Sequence, residues 1–139
     1  MVTAGPIAEI LGLGAAVQSM QELDIAVSAG LPKRSLLLLS ARLFHDDSTA
    51  SEFKFTVIPP ATWKRRTERL SRQESERIER LARVLAEAEF VLDRDDACQW
   101  MSAPHQELNG KTPLVVAQTE IGARRVETVL NNLFFGLPA

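Results

Sequence analysis

Apolar positions along this chain recur mostly at spacings of three and four, the repeat that lines one face of an α-helix. The clearest run is Ile78, Leu81, Leu85, Ala88 and Leu92, with Glu76, Arg77, Glu79, Arg80 and Arg83 on the opposite face. Ser71 and Glu74 stand in front of it at the spacing of a capping box, in which hydroxyl and carboxylate satisfy orphan amides reciprocally. A long helix over about Arg72–Leu92 follows from these two features. Ser19 with Glu22, and then Gly30, repeats the signal and predicts a helix from Met20 to Ala29. Pro32 at a first helical position opens another, with Leu36, Leu39 and Leu43 on its apolar face.

Beyond Leu92, the acidic stretch from Asp93 to Asp96 starts a short helix carrying Ala97, Trp100 and Met101, which Pro104 must end. Asn109-Gly110 marks a turn. Thr112 then caps a short helix opened by Pro113, and Thr119 caps a last one holding Val126, Val129, Leu130 and Leu133. Gly136 closes it. Only "FKFTVI", Phe53 to Ile58, alternates, and six such residues read equally as a strand or a short buried helical turn. The pattern predicts an all-α chain of about seven or eight helices, without internal repeats or low-complexity tracts.

A length of 139 residues suits one modest core, or two small helical units sharing a seam. The single cysteine, Cys98, excludes an intramolecular disulfide and fits a reducing compartment. No basic residue precedes Lys33, and the early apolar stretch is broken by Glu9, Glu22 and Asp24, which is not the pattern of a secretion signal. The apolar run Leu36 to Leu39 is far shorter than the roughly 20 residues of a membrane span. A soluble, cytoplasmic protein with no membrane partner is expected.

Candidate chemistry is sparse. His45, His105 and Cys98 lack metal-ligand spacing, and Gly12-Leu13-Gly14 lacks both the third glycine and the preceding strand of a dinucleotide site. The pairs Asp46-Asp47 and Asp95-Asp96 fall at expected helix N-termini, where each charge is favourable by about 0.3–1 kcal/mol. No nucleophile–base pairing stands out at short range. The sequence therefore suggests no enzyme, no cofactor and no metal.

Charge is distributed unevenly. Between Ala61 and Arg72, Lys64, Arg65, Arg66, Arg69 and Arg72 oppose only Glu68, a net +4 that leaves −6 for the rest of a chain whose total is −2. A basic island on an acidic body attracts phosphate while the remaining surface repels it. A solvated helix face accounts for the same residues.

Three stretches together carry a resemblance, the first of them "GLPKRSLLLLSARL", Gly30 to Leu43. Thr62, Arg65, Arg66, Arg69, Leu70, Ser71, Glu74, Ser75, Glu76, Arg77, Leu81, Ala82 and Arg83 give the pattern T-x-x-R-R…R-L-S…E-S-E-R…L-A-R, which resembles the helical N-terminal part of Xre/MbcA/ParS-type antitoxins. Trp100, Pro104, Leu108, Gly110, Thr112, Pro113, Leu114, Thr119, Gly122, Val126, Leu130 and Gly136 resemble that family's toxin-binding module. The chain departs from the family at three places: Asn109 stands for the first glycine of a Leu-Gly-Gly turn, His105 for a frequent asparagine, and "TVIPPA" lacks a common glycine between the two helices of the helix-turn-helix.

The resemblance implies an all-α fold, with an Xre-like helix-turn-helix region over residues 1–92 joined by a long helix to a small helical toxin-binding module over residues 93–139. It implies an antitoxin that covers the active site of a RES-domain, NAD-degrading toxin and represses its own operon. The partners would be that toxin and operator DNA, with a homodimer inside a toxin–antitoxin hetero-oligomer. Pro59 and Pro60 would start a recognition helix anchored by a buried Trp63. Thr62, Lys64, Arg65, Arg66 and Arg69 would face DNA, four of them, Thr62, Arg65, Arg66 and Arg69, at helical spacing on one side. Asn131, Asn132, Phe134, Phe135, Gly136 and Leu137 would face the toxin, with one of the two adjacent rings in the core and the other exposed. Trp100 is expected as a core anchor. A regulator that uses the same basic helix, dimerises through its C-terminal half and has no toxin fits the residues too, as does a helical adaptor that binds no DNA.

Overall fold

The computed structural model describes residues 2–137. Nine α-helices are found among them: α1 Ala4–Leu11, α2 Met20–Ala29, α3 Lys33–Leu43, α4 Asp47–Val57, α5 Pro60–Arg65, α6 Arg72–Val91, α7 Arg94–Ser102, α8 Pro113–Val116 and α9 Glu120–Phe134. No strand occurs among the described residues, so the chain is all-α, as its periodicity predicts.

The caps lie where the sequence places them. Ser71 accepts the Glu74 amide at 3.1 Å while Glu74 returns to the Ser71 amide at 2.8 Å, closing the capping box of α6. Ser19, Thr112 and Thr119 cap α2, α8 and α9. Pro32 is the cap of α3 rather than its first residue. Asp46 caps α4 with Asp47 in its first turn, Asp95 and Asp96 lie in the first turn of α7, and the Thr49 amide holds the Asp46 carboxyl below its ordinary range.

The open choice at residues 53–58 resolves to helix, and α1 brings the α-helices among the described residues to nine, beyond the seven or eight expected. "FKFTVI" is the end of helix α4 together with Ile58. Asp46 caps that helix, and Phe53 and Val57, four apart, are its buried positions, so the apparent alternation is incidental. Helix α1 has no sequence signal: Thr3 makes no side-chain cap and Gly5-Pro6 reads as a loop. A proline in the first turn loses nothing there, because those amides have no intrahelical acceptor. Ile7, Ala8, Ile10 and Leu11 are buried, so α1 belongs to the core.

Helix α6, 20 residues long, is the axis. Helices α1, α2, α3 and α4 pack on it from one part of the chain, and α7 and α9 from the other. Ile78, Leu81, Val84, Leu85 and Ala88 have no exposed surface, placing one continuous core along this helix. Its charged residues do not all meet solvent. Arg80 reaches Glu120 at 3.1 Å, and Arg83 lies between Glu79 at 3.4 Å and Glu127 at 3.3 Å, so ion pairs tie α9 along the polar flank of α6. On another side Arg42 of α3 holds Glu89 through two 2.8 Å hydrogen bonds.

Candidate functional site

Helices α4 and α5 are joined by only Ile58 and Pro59. Ile58 is buried, which pins the corner, and Pro60 supplies the fixed φ of a first helical position. Trp63 is half-buried against the core, with Lys33 Nζ 4.3 Å and Lys54 Nζ 4.9 Å from its ring centroid. It anchors α5 from a less enclosed position than the buried one expected.

The basic residues do not share one helical face. Helix α5 ends at Arg65, and Arg66 is already extended, with φ −68° and ψ 135°. Lys64 and Arg65 are exposed, and Arg65 only leans on the Thr62 hydroxyl at 3.4 Å. Arg66 is engaged by Glu74 at 2.9 and 3.0 Å. Arg69 donates to the Gly30 carbonyl at 2.8 Å, where residues 30–33 pair with 68–70 through Leu70 N–H to Leu31 O and Lys33 N–H to Glu68 O. Burial alone would push Glu74 up, but hydrogen bonds from Arg66 and Ser71 more than offset it and keep the carboxyl below its ordinary range. The positive charge of this segment is thus partly engaged by the fold: Arg66 is matched by Glu74, Arg69 is exposed but tethered to the Gly30 carbonyl, and Lys64 and Arg65 are exposed without such a tether.

The C-terminal half forms a separate surface. Asn109 and Gly110, at φ 60° and 78°, make the turn that returns Lys111 to His105, so Asn109 fills its left-handed position. Trp100 is half-buried rather than fully enclosed and stacks on His105 with centroids 4.7 Å apart, while His105 Nε2 lies 2.9 Å from the Trp100 carbonyl. At the far end, Gly136 at φ 67° stops α9, with its amide on Leu133 O and the Leu137 amide on Asn132 O.

Neither terminal ring enters the core. Phe134 is 49% and Phe135 63% exposed. Phe134 instead stacks at 5.4 Å on Phe90, itself 62% exposed in the last turn of α6, and meets Phe135 edge-on at 5.1 Å. Leu133 and Leu137 are exposed beside them, and Asn131 and Asn132 are half-buried at the same end. Phe90 escapes a sequence reading because it lies off the apolar stripe of α6. Its place in this cluster depends on where α9 ends. Phe90, Leu133, Phe134, Phe135 and Leu137 thus gather exposed apolar side chains at one end of the α6–α9 pair.

Residues 22–83, which contain the α4–α5 corner, match the model of the antitoxin Xre-like helix-turn-helix domain. Residues 86–136, which contain the whole aromatic cluster except Leu137, match the antitoxin Xre/MbcA/ParS C-terminal toxin-binding domain. The chain belongs to the Xre-type antitoxins. Among characterised relatives it is similar to the antitoxin Xre of Pseudomonas putida, with 37% identity over 78 residues, 53% of this chain and 49% of the relative. The chain thus spans about half the length of the curated relative that it matches. The two family segments meet inside α6, which lends one stretch to each and contributes Phe90 to the toxin-binding part. Among the described residues of this family member no helix is long and apolar enough to cross a membrane, and no acidic, histidine or cysteine cluster has the makings of a metal site.

Proposed function

We propose that this protein neutralises a RES-domain, NAD-degrading toxin by seating the Phe90–Phe134–Phe135 cluster, with Leu137 and the amides of Asn131 and Asn132, in the toxin's active-site cleft. The observation that carries the reading is the aromatic cluster itself. Three exposed rings are held together at the end of a module that matches a toxin-binding domain, where burial in a partner would supply large, rigid anchors. Co-expression with the product of the adjacent reading frame tests it. The full chain should co-purify with that product and preserve cellular NAD, whereas removing residues 134 onward should let NAD fall. A truncated chain that protects NAD as well as the full one would place inhibition elsewhere on the module.

The same protein represses its own operon through α4 and α5. Support comes from the helix-turn-helix match and from the exposed Lys64 and Arg65 beside Thr62. Replacing Lys64 and Arg65 with alanine should weaken binding to the upstream duplex and lower the salt dependence by about two phosphate equivalents. Toxin neutralisation should survive, because the other surface carries it.

A further inference from the structure

Helix α5 is too short to set its own direction. Its six residues provide few backbone bonds, among them Trp63 N–H to Pro59 O at 2.9 Å and, just past its end, Arg66 N–H to Thr62 O at 3.2 Å. What holds it comes from other helices. Lys33, at the start of α3, donates to the carbonyls of Trp63 and Arg66 at 3.0 and 3.1 Å, satisfying acceptors at the C-terminal end of α5 while its ammonium lies over the Trp63 ring. Arg66 is gripped by Glu74 in a two-pronged pair, and Glu74 is itself fixed by the capping box that starts α6.

We propose that Arg66, Glu74 and Lys33 are positioning residues, which stay off the DNA and fix the angle at which α5 presents Thr62, Lys64 and Arg65 to it. This rests on the DNA-binding reading above. Arg66 is poorly placed as a phosphate contact. Releasing it would strip its cation from Glu74, a carboxylate whose side chain is only 14% exposed. Its charge is already matched, whereas Lys64 and Arg65 have no carboxylate partner among the described residues. Glu74 therefore matters to DNA binding although its own charge repels phosphate, which is the feature that separates this proposal from simple electrostatics.

The test measures binding to a duplex from the protein's own upstream region across salt concentrations, for Arg66→Ala, Glu74→Ala, the double variant and the Lys64/Arg65 double alanine. Each single change should weaken binding about tenfold, the equivalent of roughly one charge-assisted hydrogen bond. The Arg66/Glu74 double should be no worse than either single, and the salt slope of all three should match the wild type. If Glu74→Ala binds as tightly as wild type or tighter, while Arg66→Ala lowers the slope by about one, Arg66 is a phosphate contact and the proposal falls. Arg66→Lys guards against a folding defect. It keeps the charge without the two-pronged geometry, so weakened binding with an unchanged slope supports positioning and wild-type affinity overturns it. Amide exchange in DNA-free protein separates this proposal from the reading beneath it. Faster exchange at Trp63 and Arg66 in Glu74→Ala and Lys33→Ala supports positioning even if the wild type binds no duplex, and unchanged exchange removes it.

Discussion

Gly122, in the first turn of α9, lies directly against the carbonyl oxygen of Val116, the last residue of α8, and a Cβ at this position would overlap that oxygen. The Gly122 amide is also bonded to the Thr119 hydroxyl at 3.0 Å, so the junction cannot open without losing the α9 cap. The contact is with backbone, which has no rotamer to yield. Gly122→Ala should lower stability by about 1–3 kcal/mol or more, read as a depressed melting midpoint, and should impair toxin neutralisation more than DNA binding.

Under the proposed function Phe90 serves binding and has little structural duty. Because its ring is mostly exposed, Phe90→Ala should change the unfolding free energy by no more than about 0.5 kcal/mol. Loss of a central aromatic from a buried interface should weaken the toxin complex by about 2 kcal/mol, near thirtyfold in affinity. Calorimetric titration of purified partner, set beside a thermal melt, checks both halves. An unchanged affinity would exclude Phe90 from the interface.

Glu87 gives the α6–α9 seam a pH dependence. It is 2% exposed, one carboxyl oxygen has no hydrogen-bond partner, and burial followed by the neighbouring Glu127 carboxyl raises its pKa from 4.5 to about 8, Arg83 opposing. A raised folded-state pKa favours the native protein fully below the unfolded value, near 4.5, and that contribution is lost as pH rises through about 8. Wild type should therefore melt lower at pH 8.5 than at pH 5.5. Glu87→Gln, neutral throughout, should remove on the order of 2 kcal/mol of that difference. Parallel pH profiles for the two proteins would show that Glu87 does not titrate in this window.

Trp100 is a half-buried lid on His105, so its loss should cost less than that of an enclosed ring. Trp100→Ala is expected to destabilise by about 2 kcal/mol, below the 3–5 kcal/mol of a fully buried tryptophan. His105→Ala, which leaves Trp100 unstacked but present, should cost less again. Denaturant midpoints at constant slope measure both.

Local chemistry made much of this fold legible in the chain. The capping box at Ser71 and Glu74, the caps at Ser19, Thr112 and Thr119, the proline at position 60 and the stop at Gly136 act over one turn of backbone, so their residues suffice to predict them. The core face of α6 followed from period alone, because a single stripe of Ile78, Leu81 and Leu85 can be buried in only one way. The stretches of family pattern, each legible as a string of residues without any knowledge of packing, led to the helix-turn-helix and the toxin-binding module. Helix α1 lacked a cap signal of its own and was decided by packing against α3 and α6, whereas α4 had its start marked by Asp46 and only its end, at Phe53 to Val57, left open.

Side-chain partners far apart in sequence were beyond such reading. Nothing near Arg66 indicates that Glu74 will occupy it, and nothing near Arg69 indicates the Gly30 carbonyl, so a run of cations that reads as one DNA-facing stripe divides into two untethered residues, Lys64 and Arg65, and two tied to other parts of the fold. The same holds at the other end. Spacing forbade Phe134 and Phe135 from sharing a core, but only the seating of α9 along α6 determined that both lie outside it with Phe90. The sequence by itself determined the helices, their caps and the charge they carry, since those follow from neighbours within a turn. Which charges remain free and which rings meet was decided by tertiary structure, because long-range contacts depend on how finished helices cross.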